Sequence, residues 1–96
     1  MSSKPPKGHF KILYFAAAGS FTGKREENLA APLPLSKLFE TLEERYNGLS
    51  AEVLNHSLVT INLDYVDMPI GEDAATNGLL IQEGDEVAII PPVSSG

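Results

Sequence analysis

Gly84-Asp85-Glu86-Val87-Ala88-Ile89-Ile90-Pro91-Pro92-Val93 is the stretch that decides the fold. Gln82-Glu83-Gly84-Asp85 is a turn by composition, rich in residues that bond their own backbone or tolerate a left-handed conformation. Glu86 to Ile90 is β-branched and apolar after its first residue, which predicts a strand. The strand runs directly into two prolines. Proline has no N–H to give to a ladder, so pairing stops at Pro91. The end of the chain, Pro91-Pro92-Val93-Ser94-Ser95-Gly96, is therefore expected to be an extended tail. Six extended residues reach at most about 20 Å beyond the domain. Gly96 lacks a Cβ, so its carboxylate is sterically open. A slim, stiff tail with an unhindered acid at its tip suits insertion into the active site of another protein.

Working back from that tail, Phe10 to Ala16 is an aromatic-rich apolar run and predicts a central strand. Ala17 to Lys24 predicts one or two helical turns ended by Gly23, and Glu26 to Ala30 a second strand in hairpin with the first. Pro32 and Pro34 break the chain. Ser36 is the expected N-cap of a helix over Lys37 to Tyr46, with Leu38, Phe39, Leu42 and Tyr46 on one face and Glu40, Glu43 and Glu44 elsewhere. Asn47-Gly48 supplies a left-handed stop, and Leu49 to His56 another short helix. Leu58 to Asn62 is a strand, Leu63-Asp64 a turn, Tyr65 to Asp67 a short strand and Met68 to Gly78 a loop. One main helix on one face of a mixed sheet is an α+β arrangement. The expected organisation is a disordered lead-in over 1–8, a single domain over 9–90 and the tail over 91–96.

Side-chain parity adds a surface. In the first strand Lys11, Leu13 and Phe15 share a face; in the last, Glu86, Ala88 and Ile90 do. Charge marks the solvent side, so Val87 and Ile89 are expected to point at the helix. One helix cannot cover both faces of a sheet. Phe15 and Ile90, with Tyr65 beside them, are thus candidates for an exposed apolar docking patch.

Composition bounds the chemistry. The chain has 96 residues, 43% of them apolar, and no cysteine. That is one small domain with a real core, and it excludes disulfides, thiolate metal sites and a cysteine nucleophile. The net charge of −6 argues against nucleic acid and anionic membranes and favours a basic partner surface. No stretch has the length of a membrane span, and Met1 to Gly8 lacks an apolar signal core, so the expected compartment is the cytosol. Gly19-Ser20-Phe21-Thr22-Gly23-Lys24 resembles a phosphate-binding loop, but three residues separate its glycines where four are needed, and Arg25 replaces the required Ser or Thr. His9 and His56 lack a ligand cluster, so no metal site is expected. Glu83, Asp85 and Glu86 are read as a solvated turn in preference to an acid/base pair. The one remaining chemical handle is the Gly96 carboxylate.

The segment from Gly84 to Val93 resembles the C-terminal signature of the small, sulfur-carrier subunits of molybdopterin synthase, a ubiquitin-like family with the β-grasp fold. Leu13-Tyr14-Phe15-Ala16 is similar to that family's first strand, and Val59 to Asn62 to the strand before its mid-chain turn. The resemblance implies that an activating enzyme uses ATP and Mg to adenylate the C-terminal glycine. A sulfur donor then converts the adenylate to a thiocarboxylate. The tail, Pro91, Pro92, Val93, Ser94 and Ser95, enters the large synthase subunit, where Gly96 delivers sulfur to cyclic pyranopterin monophosphate. It further implies a heterotetramer with that subunit, docking through Phe15, Tyr65 and Ile90, and no cofactor bound by the chain itself. The family normally ends in Gly-Gly; this chain ends in Ser95-Gly96, and the expectation is that its own partners accept the serine. Two alternatives remain: a ubiquitin-like sulfur carrier for transfer-RNA thiolation or protein conjugation, and a β-grasp interaction module whose tail is never activated.

Overall fold

The computed structural model describes residues 4–66 and 79–92. Strand β1, His9–Tyr14, is an inner strand, next to the central one. It pairs antiparallel with β2, Glu26–Ala30, and parallel with β7, Glu86–Ile90. On the far side of β7 lies β4, Leu58–Ile61, and outside it β5, Asp64–Val66, both antiparallel to their neighbours. The sheet order is therefore β2-β1-β7-β4-β5. Helix α1, Ala17–Thr22, follows β1. Helix α2, Leu38–Arg45, and the single turn α3, Leu49–Glu52, stand between β2 and β4. This mixed five-stranded sheet with its main helix on one face is the β-grasp arrangement.

The core forms where the two periodicities meet. Phe10, Ile12 and Tyr14 of β1, Val87 and Ile89 of β7 and Val59 of β4 all point to one side and are buried. Leu38 and Leu42, one helical turn apart, meet them from α2, and Leu49 and Leu54 close the end of the layer. Phe39 and Tyr46 pack on the margin as the apolar stripe predicts. Gly48 takes φ 95°, a left-handed backbone in which a side chain is strained, at the expected Asn47-Gly48 stop. Gly84 does the same at φ 85° in the turn before β7.

Two expectations are corrected. Ser36 does not cap α2: it lies inside a 3-10 turn, Leu35–Lys37, that runs into the helix, whose N-cap is Lys37 with no side-chain cap bond. The buried Leu35 explains the difference, because winding the chain one turn early tucks that leucine into the core. A two-residue ladder was also not expected: β3, Leu33–Pro34, pairs antiparallel with β6, Leu80–Ile81. Pro34 sits at its end, where no donor is required. The Met68–Gly78 loop lies outside the described residues. Within the expected lead-in, Gly8 N–H donates to Glu83 Oε2 at 2.5 Å, and Pro6 carbonyl accepts from His9 N–H at 3.1 Å.

Glu27 ties the sheet to the helix. It projects from β2 toward α2 and accepts hydrogen bonds from the Tyr14 hydroxyl, the Tyr46 hydroxyl at 2.7 Å, Arg45 at 3.1 Å and Lys24 at 3.3 Å. Burial pushes its carboxyl pKa up. The bonds from Tyr14, Tyr46 and Lys24, with the Arg45 charge, outweigh that and hold it below the usual 4.5. Burial, reinforced by Glu27, pushes the Tyr14 phenol up, so Tyr14 remains the donor. A folded-state pKa below the unfolded one means that this contribution is fully present above the unfolded value and is lost as pH falls through the folded one. Glu27→Gln should therefore lower unfolding free energy by about 1.5–3 kcal/mol near neutrality, the range for hydrogen bonds to a charged group. In urea titrations the gap to the wild type should close as pH falls from about 7 to about 2. A gap independent of pH would show that shape, not charge, is what the carboxylate supplies.

Candidate functional site

None of the described helices lies on the other face of the sheet, and the strand registers decide what stands on it. The parallel pairing sets Lys11 against Glu86 and Leu13 against Ala88. Phe15, one residue past β1, continues that row beside Ile90 and donates its N–H to the Ile89 carbonyl at 3.2 Å. The antiparallel pairings set Leu58 against Ile90, Thr60 against Ala88 and Tyr65 against Thr60. A depression of about 210 Å³ results, lined by Leu13, Phe15, Thr60, Leu63, Tyr65, Glu86, Ala88 and Ile90. All three docking residues expected from the sequence line it. Phe15 is 47% exposed and Tyr65 70%, while Ile90 is half-buried.

Parity was right about the face but not about why. Lys11 was expected to mark the solvent side, yet only 2% of it is exposed. Its ammonium pairs with Glu26 Oε2 at 3.1 Å, across the β1–β2 ladder and on the same open face. A lysine stem can lie along the sheet and deliver its charge to a carboxylate near the rim. Thr60 and Ala88, also on this face, are nearly covered by their neighbours. The face is therefore a packed floor with protruding apolar side chains.

Two of those protruding side chains were missed in the sequence. Leu58 is 57% exposed and Leu63 is 84% exposed. Alternation from the buried Val59 could have found Leu58. Leu63 was visible only as part of a turn.

The turn from β1 to α1 also shapes the site. Ala16 adopts φ 49° and ψ −124°, a conformation that glycine usually supplies, and Ala18 N–H donates back to the Phe15 carbonyl at 2.9 Å. This tight reversal leaves Phe15 at the lip of the sheet. Pro91 is buried and Pro92 exposed, so the chain leaves the domain beside Ile90 and Phe15. Val93, Ser94, Ser95 and Gly96 lie outside the described residues.

The rejected motifs have structural explanations. Gly19 to Thr22 belong to α1, with Thr22 Oγ1 bonded back to the Ala18 carbonyl at 3.0 Å, so the segment is a helix and not a phosphate-binding loop. Asp85 accepts from Gln82 N–H at 2.8 Å and from Asn62 Nδ2 at 3.1 Å, which makes it a turn brace. Among the described residues no group of His, Asp or Glu is placed to hold a metal ion, and no helix is long and apolar enough to cross a membrane.

Comparison with known proteins bears on the same features. A model of the ThiS family matches residues 12–96. The molybdopterin synthase sulfur carrier subunit of Phaeosphaeria nodorum is 59% identical over 95 residues, covering 99% of this chain and 98% of that protein. Among solved structures, SAMP1 from Haloferax volcanii aligns with a TM-score of 0.71 at 21% identity, over 93% of this chain and 100% of that one. A chain of the protein–protein complex of subunits 1 and 2 of molybdopterin-converting factor from Helicobacter pylori aligns at 0.56 with 16% identity, over 90% of this chain and 96% of that one. These two likenesses establish the ubiquitin-like β-grasp fold.

Proposed function

We propose, from the premise that the chain belongs to the ThiS family, that it is the sulfur carrier subunit of a molybdopterin synthase. The observation that carries this is the union of two features on one face of the sheet. An apolar depression opens on the face that none of the described helices covers, and the chain leaves its edge at Pro91-Pro92. Six residues can span at most about 20 Å, so a partner whose active site receives Gly96 must press its surface against this domain. The docking face and the reactive end are then parts of one contact.

Gly96 is the reactive residue in this proposal. A carboxylate resists substitution because oxide is a poor leaving group. The activating enzyme, using ATP and Mg, joins a Gly96 oxygen to AMP and releases pyrophosphate. A sulfur donor displaces AMP, leaving a thiocarboxylate. The large synthase subunit, matched by the two-subunit complex among the structural relatives, takes the tail and receives the sulfur for cyclic pyranopterin monophosphate. Two deliveries build the dithiolene, which fits a heterotetramer with two carriers. Ser95 lies next to the reacting carbonyl and is accommodated by the chain's own partners. The compartment is the cytosol, where the pterin precursor and both partners meet.

Intact mass is the direct test. After incubation with ATP, the activating enzyme of the same organism and a sulfur donor, the chain should gain the difference of one oxygen exchanged for sulfur, located at Gly96 by fragmentation. Adding the large subunit and precursor should reverse the change. An unchanged mass, with the same enzyme active on another carrier, would defeat the proposal.

A further inference from the structure

The described residues hold three non-glycine positions with positive φ: Ala16 at 49°, Asn62 at 51° and Leu63 at 75°. All three border the open face. Ala16 follows Phe15, and Asn62-Leu63 is the two-residue turn between Ile61 and Asp64, which pair at the end of the β4–β5 ladder. A two-residue hairpin with both central residues left-handed favours Asn-Gly. Asn62 fits that rule and is accounted for within the domain. Its N–H donates to the Glu86 carbonyl at 2.7 Å, its Oδ1 accepts from Glu86 N–H at 3.0 Å, and its Nδ2 donates to Asp85 Oδ1. These bonds fix the turn against the start of β7.

Leu63 is not accounted for in that way. It stands where glycine is the default. It is also the most exposed large apolar residue among those described, at 84%. Neither fact helps the free domain: the backbone is strained and the side chain is in water. Strain of this kind persists where a function retains it. Leu63 also lines the apolar depression, at the opposite end from the tail. Glu86, next to the turn, and Ile90, where the tail leaves, are the two ends of β7, and four steps along the strand separate them by about 13 Å.

We infer that Leu63 is a docking anchor for the large synthase subunit, and that the footprint of that subunit runs the whole length of β7 from the tail exit to the Asn62-Leu63 turn. This rests on the carrier function proposed above. The occupant follows from two facts. The short tail obliges its acceptor to lie against the domain, and the depression is continuous from Ile90 to Leu63. The recognising surface is an apolar socket for the leucine, with a basic rim facing the exposed Asp64 beside it and matching the chain's net charge of −6. Gripping the sheet at both ends would fix the angle at which the tail enters.

The two halves of this inference predict opposite effects from one substitution. Leu63→Gly restores the residue the turn favours, so the unfolding midpoint of the free chain should stay level or rise. It removes the anchor, so the dissociation constant for the large subunit, measured by titration calorimetry, should rise about tenfold or more. Leu63→Asn, which also tolerates the left-handed backbone, should weaken docking as much. A rise of less than about fivefold in both variants would overturn the inference. So would loss of self-association by the free chain with large-subunit affinity intact, since that assigns the leucine to a second copy. Phe15→Asp separates this from failure of the carrier proposal. If Phe15→Asp weakens docking and the Leu63 variants do not, only the anchor is wrong; if neither matters, the large subunit does not use this face.

Discussion

Deletion of Gly96 should abolish productive sulfur delivery while leaving the unfolding transition of the domain unchanged. The core is complete before the tail begins, closing at Val87 and Ile89 of β7, with Pro91 the last buried residue described. The new C-terminus, Ser95, still carries a carboxylate. It falls short by one residue, or about 3.5 Å, of the position a full-length tail reaches. Misplacing a reacting group by even about 1 Å costs on the order of a hundredfold. Thiocarboxylate formation, followed by intact mass, and single-turnover transfer to the large subunit should each fall by at least that factor. If the truncated chain carries sulfur at the full rate, the reactive position is not Gly96 and the mechanism proposed here is wrong.

What the sequence made legible was local. The alternation in Glu86 to Ile90 fixed which side of β7 faces the helix, because a strand turns each successive side chain over. Val87 and Ile89 are fully buried accordingly. Pro91 announced the end of the ladder for a covalent reason. The left-handed stop at Gly48 could be expected from Asn47-Gly48 alone. The exposed apolar face followed from counting: one main helix, two faces.

What remained hidden depends on partners distant in sequence. Glu27 reads as one more acidic residue in a poor strand former, yet donors from β1, the α1–β2 connection and the end of α2 converge on it. No window of sequence contains them together. The β3–β6 ladder joins residues 33–34 to 80–81, and two pairs leave no alternation to detect. Lys11 was misread because charge was taken as a marker of exposure. Its ammonium pairs with Glu26, which lies across a hairpin whose register cannot be read from either strand alone. Leu63 was hidden for a different reason. Turn chemistry predicts a glycine there, so a leucine reads as noise until its backbone angle and exposure are seen together.

Phe15→Asp is the sharpest test of the open face, because the residue joins both halves of the site. At 47% exposure Phe15 is neither core nor free. Its inner half rests beside Ile90 and Leu13 on the sheet floor, and its outer half is available to a partner. Removing the ring from the free domain should cost about 1 kcal/mol, roughly half of a full phenylalanine burial. In the docked state the aspartate would be an unpaired charge sealed in an apolar contact. Its cost is that of a buried hot spot plus desolvation, about 2–4 kcal/mol, or about a thirty- to a thousandfold loss of affinity for the large subunit. Phe15→Ala should lie between the variant and the wild type, since it deletes the contact without adding the charge. The order wild type, alanine, aspartate in dissociation constant, against a nearly level order in unfolding midpoint, distinguishes a docking residue from a core one. If Phe15→Asp unfolds the domain, the strained turn at Ala16 serves to tuck the ring inward, and the surface through which this chain meets its partner lies elsewhere.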